Sequence, residues 1–148
     1  MTSNSLSLLA VSADDRKVLF SKDLAQKISF IMITRLTRTF KIATKDVAHF
    51  GAIVGDSNPV HVDPDFAAKT RFKSPIAHGM TSLIFMNQMM PEGYKVDSFT
   101  IRFMKPIYPG YELTSELVVE GEEFEMLVGR GEEKITNIKG KLIKKEKP

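Results

Sequence analysis

Gly79-Met80-Thr81-Ser82-Leu83-Ile84-Phe85-Met86-Asn87-Gln88-Met89-Met90 is apolar on nearly every side of a helical wheel, and Pro91-Glu92-Gly93 stops it. A helix of that composition is expected to be buried. Past Gly93 the apolar period changes from helical to alternating. Phe99, Ile101 and Phe103 alternate with Thr100 and Arg102, and Leu113, Ser115, Leu117 and Val119 alternate with Thr114, Glu116 and Glu120. Alternation of this kind marks strands with one face on a core. Phe124 to Val128 and Ile135 to Ile143 continue the meander through turns at Gly121 and Gly131. A long apolar helix followed by consecutive hairpins predicts an α+β fold, a curved antiparallel sheet wrapped around that helix, because nothing else in the chain is available to cover it.

Upstream, Ser29 to Phe40 is rich in β-branched and aromatic residues and reads as a first strand. Thr44 is the expected N-cap of an amphipathic helix carrying Val47, Phe50 and Val54, and Gly55 ends it as a C-cap glycine. Asp56-Ser57-Asn58-Pro59 is strong turn chemistry, and Asp63 caps a short helix that has Pro64 at its first position. Residues 1–28, Ser-rich and then of mixed charge, read as an N-terminal extension with a short helix over Asp14 to Lys27. Residues 29–143 read as the domain and 144–148 as a basic C-terminal tail.

At 148 residues, 43% hydrophobic and 26% charged, the chain is sized for one domain with a sufficient core. It has no cysteine, which removes disulfide scaffolds, thiol nucleophiles and thiolate metal sites together. The net charge of +3 is gathered at the C-terminus, in Lys139, Lys141, Lys144, Lys145 and Lys147 against Glu146. The body is not basic, so the charge reads as a solvated terminal segment and nucleic acid is not the expected partner. No run approaches the ~18 apolar residues of a membrane span. Leu6, Leu8 and Leu9 lack a preceding basic residue, against a secretory signal, and Asp14, Asp15 and Asp23 weigh against a mitochondrial leader. The expected location is the cytoplasm, with the mitochondrial matrix as the alternative if residues 1–28 are a targeting segment.

Reactive groups are densest in Gly55-Asp56-Ser57-Asn58-Pro59-Val60-His61-Val62-Asp63. A proline turn between Asp56 and His61 can fold a carboxylate and an imidazole toward one water, an arrangement suited to general acid–base catalysis. The plainer alternative is that Asp56 and Asn58 bond their own turn and His61 is a satisfied, partly buried ring. His61, Asp63, Asp65 and His78 are possible metal ligands, but their spacing matches no recurrent metal motif, and no metal is expected. A second cluster, Pro75-Ile76-Ala77-His78-Gly79-Met80, places Gly79 where the apolar helix begins. An unpaired N–H there can stabilise negative charge developing on a carbonyl oxygen, or Gly79 is simply small at a tight helix entry.

Together the two clusters resemble the MaoC-like (R)-specific enoyl-CoA hydratases of the hotdog fold. The hydratase 2 pattern G-D-x-N-P-x-H is Gly55 to His61, followed by Asp63 and Ala67, and I-A-H-G-M is Ile76 to Met80. Phe103-Met104-Lys105-Pro106-Ile107-Tyr108-Pro109-Gly110 is similar to a third family segment, and the likeness runs from about Thr37 to Ile143. The resemblance implies that Asp56 and His61 activate a water for addition across a trans-2-enoyl thioester of CoA or acyl carrier protein. The product would be the (R)-3-hydroxyacyl thioester, in fatty-acid or polyhydroxyalkanoate metabolism, and the reverse is dehydration. It further implies that the Gly79 N–H binds the thioester carbonyl, that Asn58 shapes the turn and orients the dyad, and that no metal or organic cofactor is needed. A homodimer with its site near the interface is implied too. The acyl chain would run along the apolar helix, where Leu83, Asn87 and Met90 are candidates for setting its depth, although they read equally as core. Val54 departs from the Ser, Cys or Thr that the family usually places before Gly55. The competing functions are a hotdog acyl-CoA thioesterase and a non-catalytic acyl-thioester binding module.

Overall fold

The computed structural model describes residues 33–146. The extension, including the helix expected over Asp14 to Lys27, lies outside the described residues. The first strand, β1 (Ile33–Lys41), is followed by α1 (Thr44–Val54), a 3-10 turn at Pro59–His61 and α2 (Pro64–Lys69). A second 3-10 turn at Gly79–Thr81 runs into α3 (Ser82–Met89), and β2 (Tyr94–Phe103), β3 (Glu112–Glu120), β4 (Glu123–Arg130) and β5 (Glu133–Lys144) follow. The sheet order is β1-β3-β4-β5-β2, with antiparallel pairing throughout. This is the hotdog architecture. Both tight hairpins, β3 to β4 and β4 to β5, turn on a glycine in the first loop position, Gly121 with φ 61° and Gly131 with φ 58°, a conformation that a side chain would strain.

Alternation in β3 works as the sequence implies: Leu113, Ser115, Leu117 and Val119 are all buried. Leu113, Leu117 and Val119 meet Met126 and Val128 of β4, Ile138 and Leu142 of β5, and Phe85, Met86 and Met89 of α3 in one core. Phe40 of β1 stacks on Phe85 at 4.1 Å between ring centroids. Burying each such side chain is worth about 1.5–3 kcal/mol, enough to hold α3 in the curve of the sheet.

Several expectations change. The central helix is not long: eight α-helical residues follow the three-residue 3-10 turn. It is also not buried all round, because Met80 and Ile84 remain 45% and 44% exposed while Phe85, Met86 and Met89 face the sheet. A five-stranded sheet curves over one side of a short helix, and its apolar residues divide between core and cavity. In β2, Phe99 and Phe103 stay exposed, because this strand is an edge paired only with β5. Thr44 is the first helical residue of α1 and not its cap. Ala43 precedes it, and the Ala43 N–H donates to the Asp46 carboxylate at 2.8 Å. Finally, the C-terminal lysines are partly strand residues: β5 continues through Lys144, Lys139 pairs with Glu125 at 3.2 Å, and Lys141 stands opposite Glu123. Two of the lysines counted with the C-terminus, Lys139 and Lys141, thus stand opposite glutamates across a strand pair. Among the described residues no helix is long and apolar enough to cross a membrane.

Candidate active site

The site is built by three consecutive local structures. First, α1 ends at Gly55, whose left-handed φ of 72° turns the chain back so that the Asp56 N–H reaches the Gly51 carbonyl at 2.9 Å. Next, the Asp56 Oδ1 accepts the Asn58 N–H at 3.0 Å, and the Asn58 Oδ1 accepts the Val60 N–H at 3.1 Å, which caps the Pro59–His61 turn. Asn58 thus links the carboxylate to the turn that carries His61, as short polar side chains do in Asx turns. Then Asp63 caps α2 by accepting the Asp65 and Phe66 N–H groups at 2.9 and 3.0 Å.

His61 is held from behind. Its Nδ1 lies 2.7 Å from the Ile76 carbonyl, an acceptor only, so Nδ1 carries the proton and Nε2 is the free nitrogen of the neutral ring. That Nε2 is 3.7 Å from the Asp56 Oδ2. The same oxygen lies 3.5 Å from the Nε2 of His78, whose ring stacks on that of His61 with centroids 3.7 Å apart and 25° between planes. Asp56 is 42% exposed, His61 12% and His78 5%, so a solvent-facing carboxylate backs onto two enclosed imidazoles. Burial holds the His78 pKa below the ordinary imidazole value, the neighbouring His61 lowers it further, and Asp56 opposes both.

Asp56, His61 and His78 offer three ligand atoms within 4.8 Å of one another. Two imidazoles stacked face to face direct their in-plane lone pairs side by side, so the trio does not converge on a metal ion as it stands. Asp63 is occupied in capping α2.

Gly79 opens the second 3-10 turn, so its N–H has no acceptor within that turn. The Thr81 N–H and hydroxyl both donate to the His78 carbonyl, at 3.0 and 2.6 Å, and fix the backbone just before Gly79. Gly79, Asp56 and His61 line one cavity of about 630 Å³, whose remaining wall is Phe50, Val54, His78, Met80, Leu83, Ile84 and Asn87. A larger depression of about 760 Å³ crosses the outer face of the sheet, but there Arg35 pairs with Glu116 and Glu125 with Lys139. Those four charges pair with one another, whereas the smaller cavity gathers a carboxylate and two imidazoles.

Leu83 and Asn87 are in the cavity wall, whereas Met90 packs against the core instead. Asn58 acts within the turn and does not line the cavity. Sequence reasoning missed Phe50 and Val54, whose helical spacing with Val47 reads as one buried face. Only Val47 enters the core; the α1 face divides. Met80 and Ile84 are missed for the same reason. The signal available for His78 was its place in I-A-H-G-M, which carries no hint of which atoms it meets.

Comparison with known proteins bears on the family and the fold. The MaoC like domain family matches residues 25–140. The (R)-specific enoyl-CoA hydratase of Aeromonas caviae is 38% identical over 100 residues, which cover 64% of this chain and 73% of that protein. The (R)-specific enoyl-CoA hydratase of Rhodospirillum rubrum is 31% identical over 117 residues, 75% of this chain and 76% of that protein. Against the peroxisomal multifunctional enzyme type 2 of mouse, which is 37% identical over 73 residues, the chain spans 10% of the relative's length. Among solved structures, the R-hydratase PhaJ1 of Pseudomonas aeruginosa superposes with a TM-score of 0.69 at 30% identity, covering 76% of this chain and 81% of that one. With the fold, the two clustered segments and these relatives in agreement, the chain belongs to the MaoC-like domain family.

Proposed function

We propose that the protein is a hydro-lyase that adds water to trans-2-enoyl thioesters to give (R)-3-hydroxyacyl thioesters, and runs the reverse dehydration. The observation that carries this reading is the Asp56 Oδ2 lying 3.7 Å from the His61 Nε2 in a cavity that Gly79 also lines. Water held between the carboxylate and the imidazole gives up a proton to the pair as its oxygen bonds to the β-carbon. The electrons of the double bond move toward the thioester carbonyl, and the Gly79 N–H is the donor at that oxygen. A proton from the pair then reaches the α-carbon. The His61 tautomer suits this role because Ile76 occupies Nδ1 and leaves Nε2 to the water.

The mixed wall of the cavity, apolar at Phe50, Met80, Leu83 and Ile84 and polar at Asn87, supports an acyl chain lying along α3 with CoA or acyl carrier protein as its carrier. The exposed Phe99, Phe103 and Met104 on and beside the unpaired edge of β2 support a homodimer formed there, which the sedimentation mass of the full chain checks. The bacterial hydratases among its relatives support the cytoplasmic placement.

The decisive test is the loss of the conjugated enoyl-thioester ultraviolet band when the protein meets crotonyl-CoA, with product configuration read by a stereospecific dehydrogenase. Asp56→Ala and His61→Asn are each expected to lower kcat by at least ~10²-fold. Release of free CoA thiol from a saturated acyl-CoA, without hydration, would instead establish a thioesterase.

A further inference from the structure

Resting on the hydratase reading, we propose that His78 is a positioning residue of the dyad: its Nε2 holds the second carboxylate oxygen of Asp56 while its ring backs His61, so that carboxylate and imidazole present one fixed geometry. The placement of His78 calls for such a role. Its ring is 5% exposed and, among the described residues, neither nitrogen has a hydrogen-bond partner. Burying an unsatisfied polar group costs roughly 1–3 kcal/mol, which an apolar ring of similar size would avoid. The Nε2 of this ring nevertheless stands 3.5 Å from the Asp56 Oδ2, a separation that closes to a hydrogen bond with a small movement of the exposed carboxylate.

Asp56 needs a second anchor. The Asn58 N–H holds Oδ1, but the side chain sits on an exposed turn, and Oδ2 is the oxygen that faces His61. Without His78 that carboxylate has one tether and free rotation toward solvent. Packing leaves the His78 ring little room to swing: His61 stacks on it at 3.7 Å and Phe50 tilts against it at 5.1 Å. Gly51 makes the approach possible. A Cβ at that position would come within 3.3 Å of the His78 Cε1, 3.4 Å of its Nε2 and 2.8 Å of the Asp56 carbonyl oxygen. Among the described residues, the titratable groups that act on His78 are His61 and Asp56, and it stays neutral near pH 7. A neutral ring protonated at Nε2 is a donor to the carboxylate without competing for the catalytic proton.

Three substitutions in the full chain separate this from plain packing. His78→Phe keeps the ring and removes the donor; His78→Gln restores an amide N–H but cannot titrate; His78→Asn is a shorter control should Phe disturb the fold, which circular dichroism reads. Expected for His78→Phe is a kcat on crotonyl-CoA lower by ~10- to 10²-fold with KM changed little, as misplacement of a reacting group produces. The pH profile of kcat/KM is expected to change as well, which a purely structural loss would not produce. His78→Gln should regain several-fold over Phe. The inference is overturned if wild type hydrates, Asp56→Ala does not, and His78→Phe retains wild-type kcat and pH profile, or if Phe and Gln are equally impaired. Absence of hydration by wild type would remove the hydratase reading and this inference together.

Discussion

At the scale of single residues, two glycines in the site test different things. A Cβ on Gly79 would come within 2.7–3.2 Å of the Phe103 ring, a side chain that is 49% exposed and can yield. Gly79→Ala is therefore expected to cost less than about 1 kcal/mol of stability while shifting the N–H proposed to meet the thioester carbonyl, so kcat is expected to fall and the unfolding midpoint barely to move. Gly51 lies inside α1, where replacing glycine by alanine normally stabilises a helix by about 0.5–1 kcal/mol. Here the new Cβ would meet the Asp56 backbone oxygen at 2.8 Å, and backbone does not yield as a flexible side chain does. Gly51→Ala is expected to reverse the usual sign, destabilising by about 1–3 kcal/mol and lowering kcat together. Urea titration and crotonyl-CoA turnover on both variants read the contrast.

At the scale of elements, most boundaries follow from signals within a few residues of one another. Gly55 ends α1 and Asp63 with Pro64 starts α2, because cap and turn chemistry depends on the local backbone alone. Thr44 misleads since the cap hydrogen bond is made in reverse, the Asp46 side chain reaching back to the Ala43 N–H. The apolar run after Gly79 misleads differently. Hydrophobicity is legible from sequence, but whether a side chain faces core, cavity or solvent is decided by how far the sheet curves. Strand β5 illustrates the same dependence. Gly140 lies on its inward side, where a Cβ would fall against the Ser98 carbonyl and within 2.8 Å of the Phe124 ring, beside the register shift between Val96 and Ser98. Gly140→Ala is expected to destabilise by about 1–3 kcal/mol, seen as a lower denaturant midpoint with the β2 edge losing amide protection first.

At the scale of the whole molecule, the buried histidine couples folding to pH. Its folded pKa lies below 6.5, so the unfolded chain binds its proton more readily than the native one. The contribution is therefore present above about pH 6.5 and is lost as pH falls through the depressed native value. Thermal midpoints should drop between about pH 7 and about pH 5, and the drop should be smaller in His78→Phe. Glu125 is also lowered, chiefly by the Asn137 amide that donates to it at 2.8 Å, with Lys139 adding to this and desolvation opposing. That group is half exposed and its carboxyl is held lower still, so its small effect falls at lower pH and does not obscure the histidine's.

The α+β class, the order of elements, the hairpin turns and the two short segments that hold Asp56, Asn58, His61 and Gly79 are all legible in the sequence. Each of these rests on periodicity, turn chemistry or a contiguous pattern, which are properties of neighbouring residues. Packing in three dimensions brings His78 against Asp56 and His61, lends Phe50 and Val54 of α1 to the cavity, turns Met90 to the core, and sets Lys139 against Glu125 across a strand pair. These contacts join residues far apart in the chain, and their distances depend on how a short helix sits in a curved sheet. No local pattern encodes that curvature, because it arises from strand twist and core packing summed over the whole domain.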